Sequence, residues 1–143
     1  MKILIPAALI AVTSLTANAA NFDHKEMLEV NQALSTMVGE HDGATTITKA
    51  SAVHNDSTVT MIVDLDLDRN AVRALSGQDL DSFSTSALES LGNEIGYAMC
   101  EEGEVGRLGA FVTSDNIDDF EVAMSLTVDK GANELFYQVL KCD

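Results

Sequence analysis

Val59-Thr60-Met61-Ile62-Val63-Asp64-Leu65-Asp66-Leu67-Asp68 is the stretch on which the architecture turns. Val59, Met61, Val63, Leu65 and Leu67 alternate with Thr60, Ile62, Asp64, Asp66 and Asp68, the period-two pattern of a strand with one buried face. Just before it, Asn55-Asp56-Ser57 reads as a turn, and Ala44 to His54, rich in Thr and β-branched residues, as the preceding strand. Phe22 to about Gly39 fits a helix whose apolar side holds Leu28, Val30, Leu34, Met37 and Val38, with Gly39 to Gly43 ending it.

On the other side, Asp79 to about Glu101 carries the strongest helical signal. Leu80, Phe83, Ala87, Leu88, Leu91, Ile95, Ala98 and Met99 recur at three- and four-residue spacing. Asp79 and Asp81 are expected at its start, where the helix dipole favours negative charge. Gly92, Gly96 and Cys100 stand four apart on one line, so another segment can approach closely there; the natural candidate carries Cys142. Phe120, Val122, Met124, Leu126 and Val128 then form an alternating strand. Asp129 to Asn133 makes a turn, and Glu134 to Cys142 is the last strand. The order α-β-β-α-β-β predicts an α+β fold, an antiparallel sheet packed against at least the second helix.

Both faces of the last strand are apolar. Phe136, Leu140 and Cys142 share one; Leu135, Tyr137 and Val139 share the other. The first helix is expected to cover the second face, with self-association as a homodimer or a bound partner as the alternative.

The ends of the chain speak to compartment. Met1-Lys2, the apolar run Ile3 to Val12 broken only by Pro6, and Ala17-Asn18-Ala19 are the three parts of a cleaved secretory leader, residues 1–19. That run is too short for a bilayer core, which needs about 20 apolar residues, so no membrane insertion is expected. Residues 20–143 are expected to form one periplasmic domain. In an oxidising compartment Cys100 and Cys142, the only cysteines, are expected to pair. A bridge closing so long a loop contributes about 4 kcal/mol in the chain-entropy account.

Composition removes several functions. The net charge of the chain is −15, and losing Lys2 with the leader makes the remainder one unit more negative. Such a field repels nucleic acid and anionic membrane surfaces. With 46% apolar residues in periodic order, the chain is not disordered. There is no GxSxG elbow, no Gly-rich phosphate loop, and no basic or histidine neighbour beside either cysteine. Trp is absent, which is poor material for a sugar-stacking cleft. No enzyme activity and no cofactor are expected.

Two acidic groups invite closer reading. Asp64, Asp66 and Asp68 match the first three ligand positions of a calcium loop, but Arg69 stands where the sharp-turning Gly belongs and Leu75 where the bidentate Glu belongs. A solvated acidic ladder is expected, with weak cation binding as the lesser alternative. His24, His41 and His54 lack zinc spacing, so no metal site is expected. Glu101, Glu102 and Glu104 sit at a helix C-terminus, where the dipole disfavours negative charge. With Asp115, Asp118, Asp119 and Glu121 they are expected to make one strongly negative end that steers a basic partner, a solvated face that keeps an exported protein soluble being the alternative. Tyr137 is expected to anchor the partner if its face is uncovered.

A helix ending in Cys (Ala87 to Cys100), an acidic turn (Glu101 to Glu104) and a hairpin closing on Cys (Phe120 to Cys142) resemble the small periplasmic pilotins of type II secretion, the AspS kind. The resemblance implies the fold and the bridge and no functional residues. Pilotins are typically lipoproteins, whereas no cysteine precedes Cys100. In being short, exported, acidic and bridged, the chain is also similar to periplasmic immunity proteins of type VI secretion. The expected function is neutralisation of a basic exported enzyme such as a peptidoglycan hydrolase. A pilotin-like or chaperone-like assembly role is the alternative.

Overall fold

The computed structural model describes residues 24–101 and 116–142. In chain order the elements are α1 (His24–Ser35), β1 (His41–Asp42), β2 (Thr45–Asn55), β3 (Thr58–Leu67), α2 (Arg69–Ser76), one 3-10 turn (Leu80–Ser82), α3 (Thr85–Glu101), β4 (Asp119–Val128) and β5 (Asn133–Cys142). The five strands form one sheet in the order β1-β2-β3-β4-β5. The fold is α+β, as the alternating strands and periodic helices imply.

The sheet is mixed, which corrects the antiparallel expectation. β3 and β4 run parallel, with Thr58 opposite Asp119 and Leu67 opposite Val128, while the other pairs are antiparallel. Alternation within a strand carries no sign of direction. The long connection containing α2 and α3 brings the chain back to the end where β3 began, so β4 repeats its direction.

One side of this sheet is buried. Val59, Met61, Val63 and Leu65 of β3 lie beside Phe120, Val122, Met124 and Leu126 of β4, and Val30 and Leu34 from α1 join Leu91 and Ile95 from α3 in the same core. Both helices therefore cover one side. A smaller cluster of Leu67, Val72, Leu80 and Val128 closes the end where β3 and β4 finish.

α1 lies over β2, and the Asn31 amide locks it there. Its Nδ2 donates to the Ala52 carbonyl at 2.9 Å and its Oδ1 accepts from the Ala52 N–H at 2.7 Å. The helix ends at Ser35 and continues as turns to Gly39, where φ is 93°.

The segment from Asp79 is not one helix. α3 starts at Thr85, with Ser84 Oγ accepting from the Ala87 N–H at 3.2 Å. Asp79 and Asp81 lie before it and face arginines instead of the α3 dipole: Asp81 meets Arg69 at 2.8 Å and Asp79 meets Arg73 at 3.4 Å.

The bridge forms as expected. Cys100 near the end of α3 joins Cys142 at the end of β5 across 42 residues, with their Cα atoms 5.2 Å apart. The small-residue line serves the same junction. A Cβ on Gly92 would overlap the Phe136 ring, and one on Gly96 would overlap the Leu140 side chain. Helix backbone and strand side chains meet there in a way larger residues forbid.

Candidate functional site: the open face of the sheet

Because α1 and α3 share one side, the other side of the sheet has no described element over it. This overturns the expectation that the first helix covers the face bearing Tyr137 and Val139. Those two side chains are 58% and 43% exposed, and Val53 on β2 is 47% exposed. Leu135 does not belong with them. A bulge between Leu126 and Thr127 opposes Phe136 to Leu126 and Glu134 to Thr127, leaving Leu135 as the extra residue. It turns toward the helices and packs against the smaller core cluster.

Strand register builds the open face row by row. Ile62 pairs with Ala123, and Ala123 with Val139, so three apolar residues cross β3, β4 and β5 in one row. Val53 and Tyr137 flank that row on opposite sides, Val53 opposite Thr60 and Tyr137 opposite Ser125. Acidic groups surround the strip. Glu121 Oε1 accepts from Thr60 Oγ1 at 2.7 Å, and Glu134 Oε2 accepts from Ser125 Oγ at 3.2 Å. Asp64 and Asp119 occupy further positions of the same side, with Lys49 and Lys141 as its cations among the described residues. The face is thus an apolar strip in a net acidic frame.

One end of the face is rigidly built. Asp66 accepts three bonds: from Thr127 Oγ1 at 2.8 Å, from the Gly131 N–H at 2.9 Å and from the Lys130 N–H at 3.2 Å. It holds the β4–β5 turn, in which Asp129, Lys130 and Gly131 all have positive φ. Arg69 clamps the same turn through a two-pronged contact with Asp129 at 2.9 and 3.0 Å, while also reaching Asp81. The hydrogen bonds that Arg69 donates to Asp129 and then to Asp81 hold it protonated even more firmly than usual. The Arg69 bond in turn lowers the Asp129 carboxyl below its ordinary value.

The aspartate ladder is therefore partly structural. Asp66 serves the turn, and Asp68 caps α2 by accepting from the Ala71 N–H at 2.7 Å. Among the described residues no group of three His, Cys, Asp or Glu side chains is placed to hold a metal ion.

The other expected contact residues divide. Asp118 and Asp119 are exposed at the start of β4, where both their N–H groups donate to the Ser57 carbonyl. Glu101 closes α3, which the bridge brings to the same end of the sheet. Glu102, Glu104 and Asp115 lie outside the described residues, as does the expected leader, residues 1–19. Tyr137 stands about five residues before Cys142, roughly 17 Å along the strand. It belongs to the apolar strip and not to the acidic end. Val53, Ile62 and Ala123 escaped the sequence reading because their meeting depends on register across three strands.

No protein-family model, curated protein or solved structure matches this chain. Among the described residues no helix is long and apolar enough to cross a membrane.

Proposed function

We propose that this chain is an exported, disulfide-bridged binding protein without catalytic activity, which captures and neutralises a basic exported enzyme through the open face of its sheet. The observation that carries the reading is the strip of exposed Val53, Val139 and Tyr137, with half-buried Ile62 and buried Ala123 between them, inside an acidic frame on a chain of net charge −15. An apolar centre with a polar rim is the usual build of a protein contact. The negative field adds orientation and a faster encounter with a basic partner.

In this account the leader takes the chain to the periplasm, where the bridge forms. The acids at Glu101, Glu102, Glu104, Asp118 and Asp119 steer, and Tyr137 anchors. A peptidoglycan hydrolase suits the role, because such enzymes act in that compartment on an anionic polymer and are commonly basic. The mode of action is that of an immunity protein of type VI secretion. The test is to add oxidised residues 20–143 to an extract of exported proteins and follow peptidoglycan hydrolysis. Inhibition that weakens with Tyr137→Ala supports the reading; hydrolysis unchanged at saturating protein contradicts it.

A further inference from the structure

β5 ends the sheet: among the described residues it pairs with β4 on one edge and with nothing on the other. The strand is ten residues long and firmly held, by the bridge at Cys142 and by Phe136 and Leu140 seated on the α3 glycines. Natural edge strands are guarded by short length, prolines or charges that stop another strand from adding. The central run Leu135 to Leu140 has no charge and no proline. Among the described residues this edge is open to a further strand.

What selects the occupant is the order of side chains on the open face. The bulge at Leu135 places Glu134 on the same side as Tyr137, Val139 and Lys141. Read along the strand, that side runs acid, aromatic, β-branched, base. The order is complementary to itself when reversed. Antiparallel pairing about a two-fold axis at Gln138 sets Tyr137 opposite Val139 of the second copy, twice. The same operation sets Lys141 beside Glu134 of the second copy, also twice. Aromatic with β-branched and acid with base are the favourable cross-strand pairs. Lys141 is exposed and has no ionic partner among the described residues.

We propose that two copies of this chain join through β5 into one ten-stranded sheet, with Gln138 on the two-fold axis. The two apolar strips then meet, and Tyr137 and Val139 of both copies form the middle of a doubled open face. Self-association of so acidic a chain works against long-range repulsion, so the dimer tightens as salt screens it. A complex with a basic partner responds to salt in the opposite sense. The dimer needs only the edge of β5, so it stands or falls separately from capture of an enzyme.

The test is sedimentation of oxidised residues 20–143 across concentration at low and high salt, with folding of every variant checked by thermal melting. A dimer strengthened by salt is expected. Lys141→Glu should weaken it about tenfold or more, and the exchange Glu134→Lys with Lys141→Glu should restore it. Register is read separately: cross-strand Cα atoms at the axis lie about 4.5–5.5 Å apart, so Gln138→Cys should oxidise to a covalent dimer and Glu134→Cys should not. A wild type that stays monomeric at every concentration and salt, or covalent dimers equally from both cysteine variants, would overturn the proposal.

Discussion

The ring of Phe136 on β5 occupies the space where a Cβ on Gly92 of α3 would stand. The junction between the long helix and the last strand is thus set by what the helix lacks. Gly92→Ala is expected to destabilise the fold by about 1–3 kcal/mol, even though alanine favours helix. Gly96→Ala meets only the end of the Leu140 side chain, which can move, and should cost less, about 1 kcal/mol or below. Urea midpoints check the ranking; a larger loss at Gly96 contradicts it.

The bridge reinforces the same junction. Reduction, or Cys100→Ser with Cys142→Ser, is expected to lower stability by up to about 4 kcal/mol, given the 42-residue separation. Denaturant unfolding with and without reductant measures it. An unchanged midpoint would mean that the packing of Phe136 and Leu140 on α3 suffices without the link.

Asp64 and Asp66 belong to one acidic ladder but differ in role. Asp66→Ala strands three donors at the β4–β5 turn and should cost about 1–3 kcal/mol. Asp64→Ala, at a carboxylate with no partner among the described residues, should stay within about 0.5 kcal/mol. Lys130 in the same turn has a φ of 58°, and Lys130→Gly should stabilise by about 1 kcal/mol. Thermal melts of the three variants decide the order.

The Arg69 clamp gives a pH signature. Its bond lowers the Asp129 carboxyl, so the contribution of this pair is present above the ordinary aspartate range and is lost as pH falls through the lowered value. In Arg69→Gln the Asp129 carboxyl should titrate at higher pH than in the wild type. Carboxyl NMR titration of the two proteins checks it, and coincident curves would show that Arg69 does not act on Asp129 in solution.

Much of the fold is legible in the residues. Alternation marks the strands at Val59 to Leu67 and Phe120 to Val128, and the line of Gly92, Gly96 and Cys100 points to the strand that packs there. Strand direction is not legible, because alternation reads the same both ways. α2 escapes because it is short and only Val72 is buried, although its signals are present in the Asp68 cap and in Gly77 at φ 73°. Leu135 is misassigned because a single bulge reverses the parity of everything before it. The open face is hidden for a related reason: Ile62, Ala123 and Val139 become neighbours only after three strands are aligned.

Removing steering charge should change rate and leave fold intact. Replacing Glu101, Glu102 and Glu104 with Gln is expected to lower the association rate with a basic partner, with thermal stability unchanged or slightly higher because the end of α3, at Glu101, disfavours negative charge. Stopped-flow association at low salt reads the first and melting the second. An unchanged rate removes the steering role.

Capture of a basic exported enzyme by the open, acid-framed face is what we propose. The most direct measurement is a pull-down from whole-cell extract with tagged, oxidised residues 20–143, at low and moderate salt, alongside the Tyr137→Ala variant. A basic cell-wall hydrolase is expected as the main catch, weakened by salt and reduced by the substitution. An outer-membrane secretion component held through salt, and held equally by the variant, would contradict it and point instead to a pilotin-like assembly role.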